Sequence, residues 1–378
     1  MLARQHTSID QLDPQAWNAL AGTEVPFLRH EFLAALEHTG CVGPASGWTP
    51  AYIALNDEAG LAAAAPAFIK SHSYGEFVFD FSWAEAYARF GRNYYPKLSV
   101  CVPFTPATGS RLLVRPDLAA PLVRRRLIKA IEDFSTQSRI SSAHALFFDE
   151  GDREAFAQSG WLLRRDCQFH WHNQGYRDFE QYLATFTAEK RKKARRERRR
   201  VEEAGIRFET RLGSDMDEAL LDTVYDFHRS TFLRHGHEPY LSREFFSEIA
   251  RTLGDALMVK IALHRAKPVA AAVFFWCQEA LYGRYWGAAE EHHSLHFETC
   301  YHQGIEFCIE RGIRRFEPGT QGEHKVARGF APTLTWSAHY LGDRRFRSAV
   351  RDYLVREGAA VDVYAAQVGE HVPFRRAT

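Results

Sequence analysis

The 378-residue sequence contains no closely spaced pair of cysteines. Cys41, Cys101, Cys167, Cys277, Cys300 and Cys308 are scattered, most of them inside apolar or aromatic runs. That excludes a disulfide-stapled fold and fits buried free thiols in a reducing cytoplasm, the expected location. Long hydrophobic runs are missing as well. The longest, 61–69 (broken by Pro66) and 269–277, fall far short of the roughly 20 residues that cross a bilayer, so no transmembrane segment is expected. The first residues, Met1 to His6, lack the apolar region of a signal peptide, and export is not expected. Neither sign of charge dominates: 48 basic and 47 acidic residues leave a net +1. Eighteen histidines are present, yet His170 and His172, His235 and His237, and His292 and His293 each lack a third ligand at a recognisable spacing. No metal is therefore expected.

The length allows two or three domains, each able to bury a core. Asp13 and Pro14 open a first helix as N-cap and first helical residue. A second helix at 30–38, strands at 48–55, 61–70 and 76–81, an aromatic and proline-rich loop at 91–109, a helix at 118–136 and strands at 145–148 and 161–172 follow. From Ile206 the same order returns: helices at 220–228 and 243–253, strands at 256–263, 268–277 and 281–287, a helix at 294–311, and strands at 314–317 and 332–341. Gly160-Trp161 and Gly329-Phe330 hold equivalent places, each before a strand that ends in aromatics. The pattern reads as duplication of one α/β module, with mostly antiparallel mixed sheets flanked by helices. The modules are placed at 1–175 and 206–343, with a basic connecting helix at 176–205 and a C-terminal tail at 344–378.

Charge is concentrated in one place. Residues 190–200 hold nine cations and one acid, Glu197, a local charge of +8 that leaves about −7 for the remainder. Phe186, Ala194, Val201 and Ala204 form a narrow apolar seam at helical spacing, and cations fill most of the remaining circumference. Cations in the first half and Glu202 and Glu203 in the last turn oppose the helix dipole. An anionic partner would offset that cost, and Lys190, Arg191, Lys193, Arg195 and Arg196 are the candidate contacts to a CoA phosphate or to RNA. The alternative is a solvated linker helix held by pairs such as Arg199–Glu203.

Two further stretches carry candidate chemistry. Residues 317–329 break a short strand with Pro318, Gly319 and Gly322. Thr320 and Glu323 have capping-box spacing for a short helix that stops at Gly329, and Lys325 and Arg328 lie one turn apart, so the segment reads either as an anion cradle or as a capped surface turn. On a wheel of residues 294–311, Glu298 falls with Ile305 and Ile309 on an apolar stripe. A buried carboxylate there would suit a general base, or would form a structural pair with Arg284 or Lys325.

Several motifs carry a family resemblance. Tyr282-Gly283-Arg284-Tyr285-Trp286-Gly287, Leu295-His296-Phe297-Glu298-Thr299-Cys300-Tyr301, and Gly322-Glu323-His324-Lys325 with Arg328-Gly329 resemble the FemAB-like family of N-acyltransferases. In the first half, Tyr94-Tyr95-Pro96-Lys97-Leu98 and Gln168-Phe169-His170-Trp171 agree, as does the basic run. The resemblance implies tandem GNAT-fold domains that transfer an acyl or aminoacyl group from acyl-CoA or aminoacyl-tRNA to a small-molecule amine, in processes related to peptidoglycan, with no tightly bound cofactor. The usual GNAT pyrophosphate loop is not evident in either half, and the long coiled-coil hairpin of some aminoacyl-transferring relatives is missing. In this reading Glu298 and His324 are candidate bases, and Tyr285 a candidate acid or oxyanion donor. Arg284, Lys325, Arg328 and Lys97 would hold a phosphate or an acidic acceptor, and Trp286, His296, Glu317 and Glu323 complete the expected substrate-binding set. The competing reading is a non-catalytic module that binds RNA or a cell-wall precursor.

Overall fold

A computed structural model describes every residue except 291, 321 and 376–378. The chain divides into two compact units: Met1–Cys167 with Leu334–Val363, and Gln168–Thr333 with Tyr364–Thr378. No helix among the described residues is long and apolar enough to cross a membrane.

In the first unit, strands Trp48–Pro50, Ala67–Lys70 and Lys97–Val100 pair antiparallel in that order. Lys97–Val100 then runs parallel to Ser142–Leu146, the geometry that requires a crossover connection. The helix Ala120–Gln137 supplies it, burying Val123, Leu127, Ile131 and Ser135 at four-residue spacing. Leu127 and Ile131 pack with Leu98, Val100, Ala143 and Ala145 in one apolar core. The second unit repeats this plan. Strands Ile206–Leu212, Leu257–His264, Lys267–Trp276 and Ala280–Ala288 form an antiparallel meander. The helical stretch from Leu295 to Arg311 crosses over to strand Arg315–Glu317, which is parallel to the start of Ala280–Ala288.

The expected boundaries change because each repeat gives up its last strand. In the first unit Ser142–Leu146 is flanked by residues 337–341, the end of strand Ala331–Leu341. In the second, Arg315 and Phe316 pair with His172 and Trp171, the end of strand Leu162–His172. The 344–378 segment is not a tail either. It forms the helix Arg344–Gly369, with Val350 and Leu354 in an apolar cluster of the first unit and Val368 in the core of the second.

The basic helix also needs correction. It spans Ala188–Glu203 as one continuous helix, but it lies inside the second unit instead of connecting two modules. Phe186, Ala194 and Val201 are buried as the seam requires, whereas Ala204 is exposed.

Residues 76–81, expected as a strand, instead lead into the helix Phe81–Arg89. The reason is electrostatic. Glu76 and Asp80 turn inward onto Lys97, whose Nζ lies 2.6 Å from Glu76 Oε2 and 2.5 Å from Asp80 Oδ2, all three being buried. Ser73 accepts a third Lys97 hydrogen bond at 2.8 Å, and Ser99 and Tyr94 donate to the two carboxylates. Burial opposes the Lys97 charge, but Glu76 and Asp80 outweigh it and raise the ammonium. Burial likewise acts against the Asp80 carboxylate, yet Lys97 brings it down to about 2. Lys97 is thus a structural cation of the first unit with no ammonium hydrogen left for a substrate. Lys97→Met should leave two buried carboxylates uncompensated and cost about 3–5 kcal/mol of stability. Urea unfolding measures this, and a variant as stable as the parent would contradict a buried ion triad.

Candidate active site

The site in the second unit begins with a mismatch of strand lengths. Ala280–Ala288 pairs with Arg315–Glu317 only as far as Tyr282. Pro318, lacking an N–H, and Gly319, at φ 98°, then turn the neighbouring chain away. Beyond Tyr282 the register with that strand does not continue. On the opposite edge the register slips: Val273 faces Tyr285 and Phe274 faces Gly283, so Arg284 is an extra residue in the ladder. A cavity of about 150 Å³ occupies the opening, lined by Arg284, Tyr285, Trp286, His296, Cys300 and Tyr301 together with Pro318 and the 272–274 backbone region.

The helix that walls this cavity is irregular. Between Leu295–Phe297 and Gln303–Arg311 lies a π-helical turn, Glu298–His302, in which the Gln303 N–H donates to the Glu298 carbonyl five residues back. Such turns insert one residue and re-aim the side chains around them, often at functional sites. Here His296, Cys300 and Tyr301 reach the cavity. The Tyr301 hydroxyl lies 2.8 Å from His324 Nε2. Burial pushes the Tyr301 phenol well up. Burial, then the charges of Lys325 and Arg328, lower His324. Both partners are therefore neutral near pH 7, a phenol facing the cavity with an imidazole behind it to take or return a proton. His296, lowered to about 4 by burial, is also neutral, and its ring packs 5.3 Å from that of Trp286. Tyr285 packs its ring on His228 at 4.7 Å.

Glu298 takes another course. It is buried, but it does not line the cavity. Its Oε1 accepts from Gln303 Nε2 at 2.9 Å and lies 3.1 Å from Arg198 Nη2, which also reaches Glu306 at 2.7 Å. The expected base is thus an anchor for the basic helix. The expected phosphate ligands are committed too. Lys325 is buried and donates to the Gly319 carbonyl at 2.8 Å. Arg328 lies 3.5 Å over the Phe297 ring, donates to the His324 carbonyl at 2.7 Å, and places Nη2 2.9 Å from both oxygens of Glu197.

The 317–329 segment consequently works as an internal clamp. Its short helix, Glu323–Arg328, does end at Gly329, where φ is +86° and an added Cβ would strike the Tyr182 hydroxyl. The Thr320–Glu323 capping box does not form. Gly322 is the N-cap at φ 113°, and Glu323 accepts from the Tyr364 hydroxyl at 2.8 Å instead. Glu317 is buried and pairs with Arg315 at 2.8 Å. On the basic helix, Lys192, Lys193, Arg195, Arg196, Arg199 and Arg200 are exposed, Lys190 and Arg191 are half-buried, and Arg195 pairs with Glu180. Tyr301 and Glu197 were each visible in the sequence, one in a quoted motif and one as the lone acid among cations. Neither received a role, because both act through residues distant in the chain.

With this geometry in hand, comparison is informative. The profile of the FemAB-like family, described as peptidoglycan biosynthesis/recognition, matches residues 8–376, and the chain belongs to that family. FemX is similar at a TM-score of 0.55 and 9% identity, over 93% of this chain and 100% of its own. L-PGS from Bacillus licheniformis is similar at a TM-score of 0.52 and 13% identity, over 90% and 96% of the two chains. A protein of unknown function from Bacteroides thetaiotaomicron reaches a TM-score of 0.54 at 12% identity, over 90% and 99%. These likenesses are of fold, a mixed α/β architecture. Among curated proteins, none matches the sequence.

Burial pulls the Lys325 ammonium down to about 7, with Cys300 acting weakly in the other direction. An unfolded lysine holds its proton to about 10.4. Between these values the unfolded chain binds the extra proton, so this group makes stability rise with pH. Lys325→Met should remove that increment, on the order of a few kcal/mol. Unfolding free energies of parent and variant from pH 6 to 10 test this, and parallel curves would show that Lys325 is not buried in this way.

Proposed function

We propose that the protein is an N-acyltransferase, carrying an acyl or aminoacyl group from acyl-CoA or aminoacyl-tRNA to the amine of a small-molecule acceptor. The observation that carries this reading is the cavity between the splayed strands, with Tyr301 on its wall and His324 hydrogen-bonded behind it. A volume of about 150 Å³ accommodates a group on the order of benzene in size. It therefore suits the reacting end of a donor, such as a short acyl or aminoacyl group, while the remainder of the donor lies outside.

In this mechanism the acceptor amine attacks the donor carbonyl carbon, a C–N bond forms, and the C–S or C–O bond of the donor breaks. The ammonium proton released by the attack passes through the Tyr301 hydroxyl to His324 and returns to the leaving thiolate or ribose oxygen. Tyr285 is the candidate donor to the tetrahedral oxyanion. The exposed face of the basic helix receives donor phosphates. Glu298 has no role in the chemistry.

The test measures transfer from acyl-CoA and aminoacyl-tRNA to a panel of amines, including muropeptide and amino-sugar acceptors. Tyr301→Phe should lower kcat by about 10²–10⁴-fold, the usual value of general acid–base catalysis, with KM for the donor little changed. Replacing Lys193 and Arg196 by Gln should instead raise the donor KM and flatten its salt dependence, by about 0.7 in log–log slope per lost phosphate contact on single-stranded RNA. Salt-sensitive donor binding with no turnover on any acceptor would replace this proposal by the non-catalytic binding module.

A further inference from the structure

On another part of the second unit, the fold assembles a set of side chains that the proposed chemistry does not use. His264 ends the strand Leu257–His264 and opens a tight two-residue turn, Arg265 and Ala266 at φ 50° and 64°, before the next strand. Glu290 and His292 lie beyond the end of strand Ala280–Ala288, on the connection to the helix that begins at Leu295. His264 Nδ1 is 3.4 Å and His292 Nε2 2.9 Å from Glu290 Oε2. One ligand atom from each of the three residues lies within 4.8 Å of the others.

The geometry points to a divalent transition-metal site, of the kind that takes Zn²⁺, formed by His264, Glu290 and His292. Ligands about 2.0–2.1 Å from a tetrahedral Zn²⁺ stand roughly 3.3 Å apart. Two edges of this triangle already have nearly that length, and the third is no longer than 4.8 Å. Two neutral imidazoles and a carboxylate are a set that Zn²⁺ and its neighbours prefer over Mg²⁺ or Ca²⁺, which take oxygen ligands. Three protein ligands leave a fourth position for water.

The scaffold is rigid at both ends. His264 is paired with Ile206 and Lys267 across two strands, and the Ala289 N–H donates to the Val269 carbonyl at 2.8 Å just before the other two ligands. The ion would tie the hairpin turn to the segment feeding the helix that carries His296 and Tyr301. The sequence hid this site because His264 is 28 positions from His292 and looked unrelated to it. The neighbouring His293 contacts Arg200 and Ser294 instead.

The experiment titrates the chelator-treated full chain with Zn²⁺ by calorimetry and with Co²⁺ by visible absorption. One ion per chain is expected, with a Co²⁺ spectrum of four-coordinate intensity. His264→Ala and His292→Ala should each weaken binding at least 10-fold and Glu290→Gln several-fold, whereas His293→Ala should leave it unchanged. Circular dichroism confirms that these surface variants fold. Absence of binding at micromolar Zn²⁺, or binding that survives His264→Ala with His292→Ala together, overturns the assignment and leaves Glu290 as a hydrogen-bond acceptor for two histidines.

Discussion

The contact on which the second unit depends is the buried ion pair of Glu197 with Arg328. The basic helix carries nine cations within 190–200, and on its own such a helix repels itself and offers little apolar surface. Glu197 is the one position where it can present a counter-charge inward. Arg328 meets both carboxylate oxygens at 2.9 Å, while His302 Nε2 stands 3.6 Å from the same carboxylate. Removing either partner would leave an uncompensated charge in a low dielectric, a cost of several kcal/mol. A second contact, Arg198 with Glu298 and Glu306, fixes the rotation of the helix about its own axis. With those two points held, Lys192, Lys193, Arg195, Arg196, Arg199 and Arg200 face outward.

The same pair explains why the 317–329 segment is not an anion cradle. Arg328 sits on the Phe297 ring and on the His324 carbonyl as well as on Glu197, so its charge is satisfied by the protein. Clamping Arg328 also sets His324, four residues earlier, against Tyr301. A structural ion pair and the candidate proton relay are therefore successive consequences of one short helix. The glycine at its end is required for the same reason, since any side chain at Gly329 would displace the Tyr182 hydroxyl, which itself donates to the Arg328 carbonyl at 2.7 Å.

Much of the fold could be read from local signals. The Asp13 N-cap accepts from the Ala16 N–H at 2.8 Å, the meander 257–288 follows its apolar runs, and the repeat order holds in both units. The exchange of last strands could not be read, because the pattern of Leu162–His172 or Ala331–Leu341 is the same whichever sheet receives it. Lys97 was misread because a lone lysine in an aromatic loop resembles a binding residue until Glu76 and Asp80, about 20 positions earlier, are folded onto it. Glu298 failed for a different reason. A wheel drawn at a uniform 3.6 residues per turn has no place for the five-residue turn at Glu298–His302, and the inserted residue changes which side chains face the cavity.

The distribution of charge follows from these placements. Arg198, Lys325 and Arg328 are turned inward and engaged by carboxylates, a carbonyl or an aromatic ring, whereas the cavity is lined by the Tyr285 and Tyr301 phenols, the His296 imidazole, the Cys300 thiol and one guanidinium, that of Arg284. Outside, Lys192, Lys193, Arg196, Arg199 and Arg200 remain exposed on one helix, and their combined field acts over about a Debye length, roughly 8 Å at physiological salt. The second unit thus keeps its exposed cations on one helix and apart from the neutral Tyr301–His324 pair, whose phenol reaches the cavity.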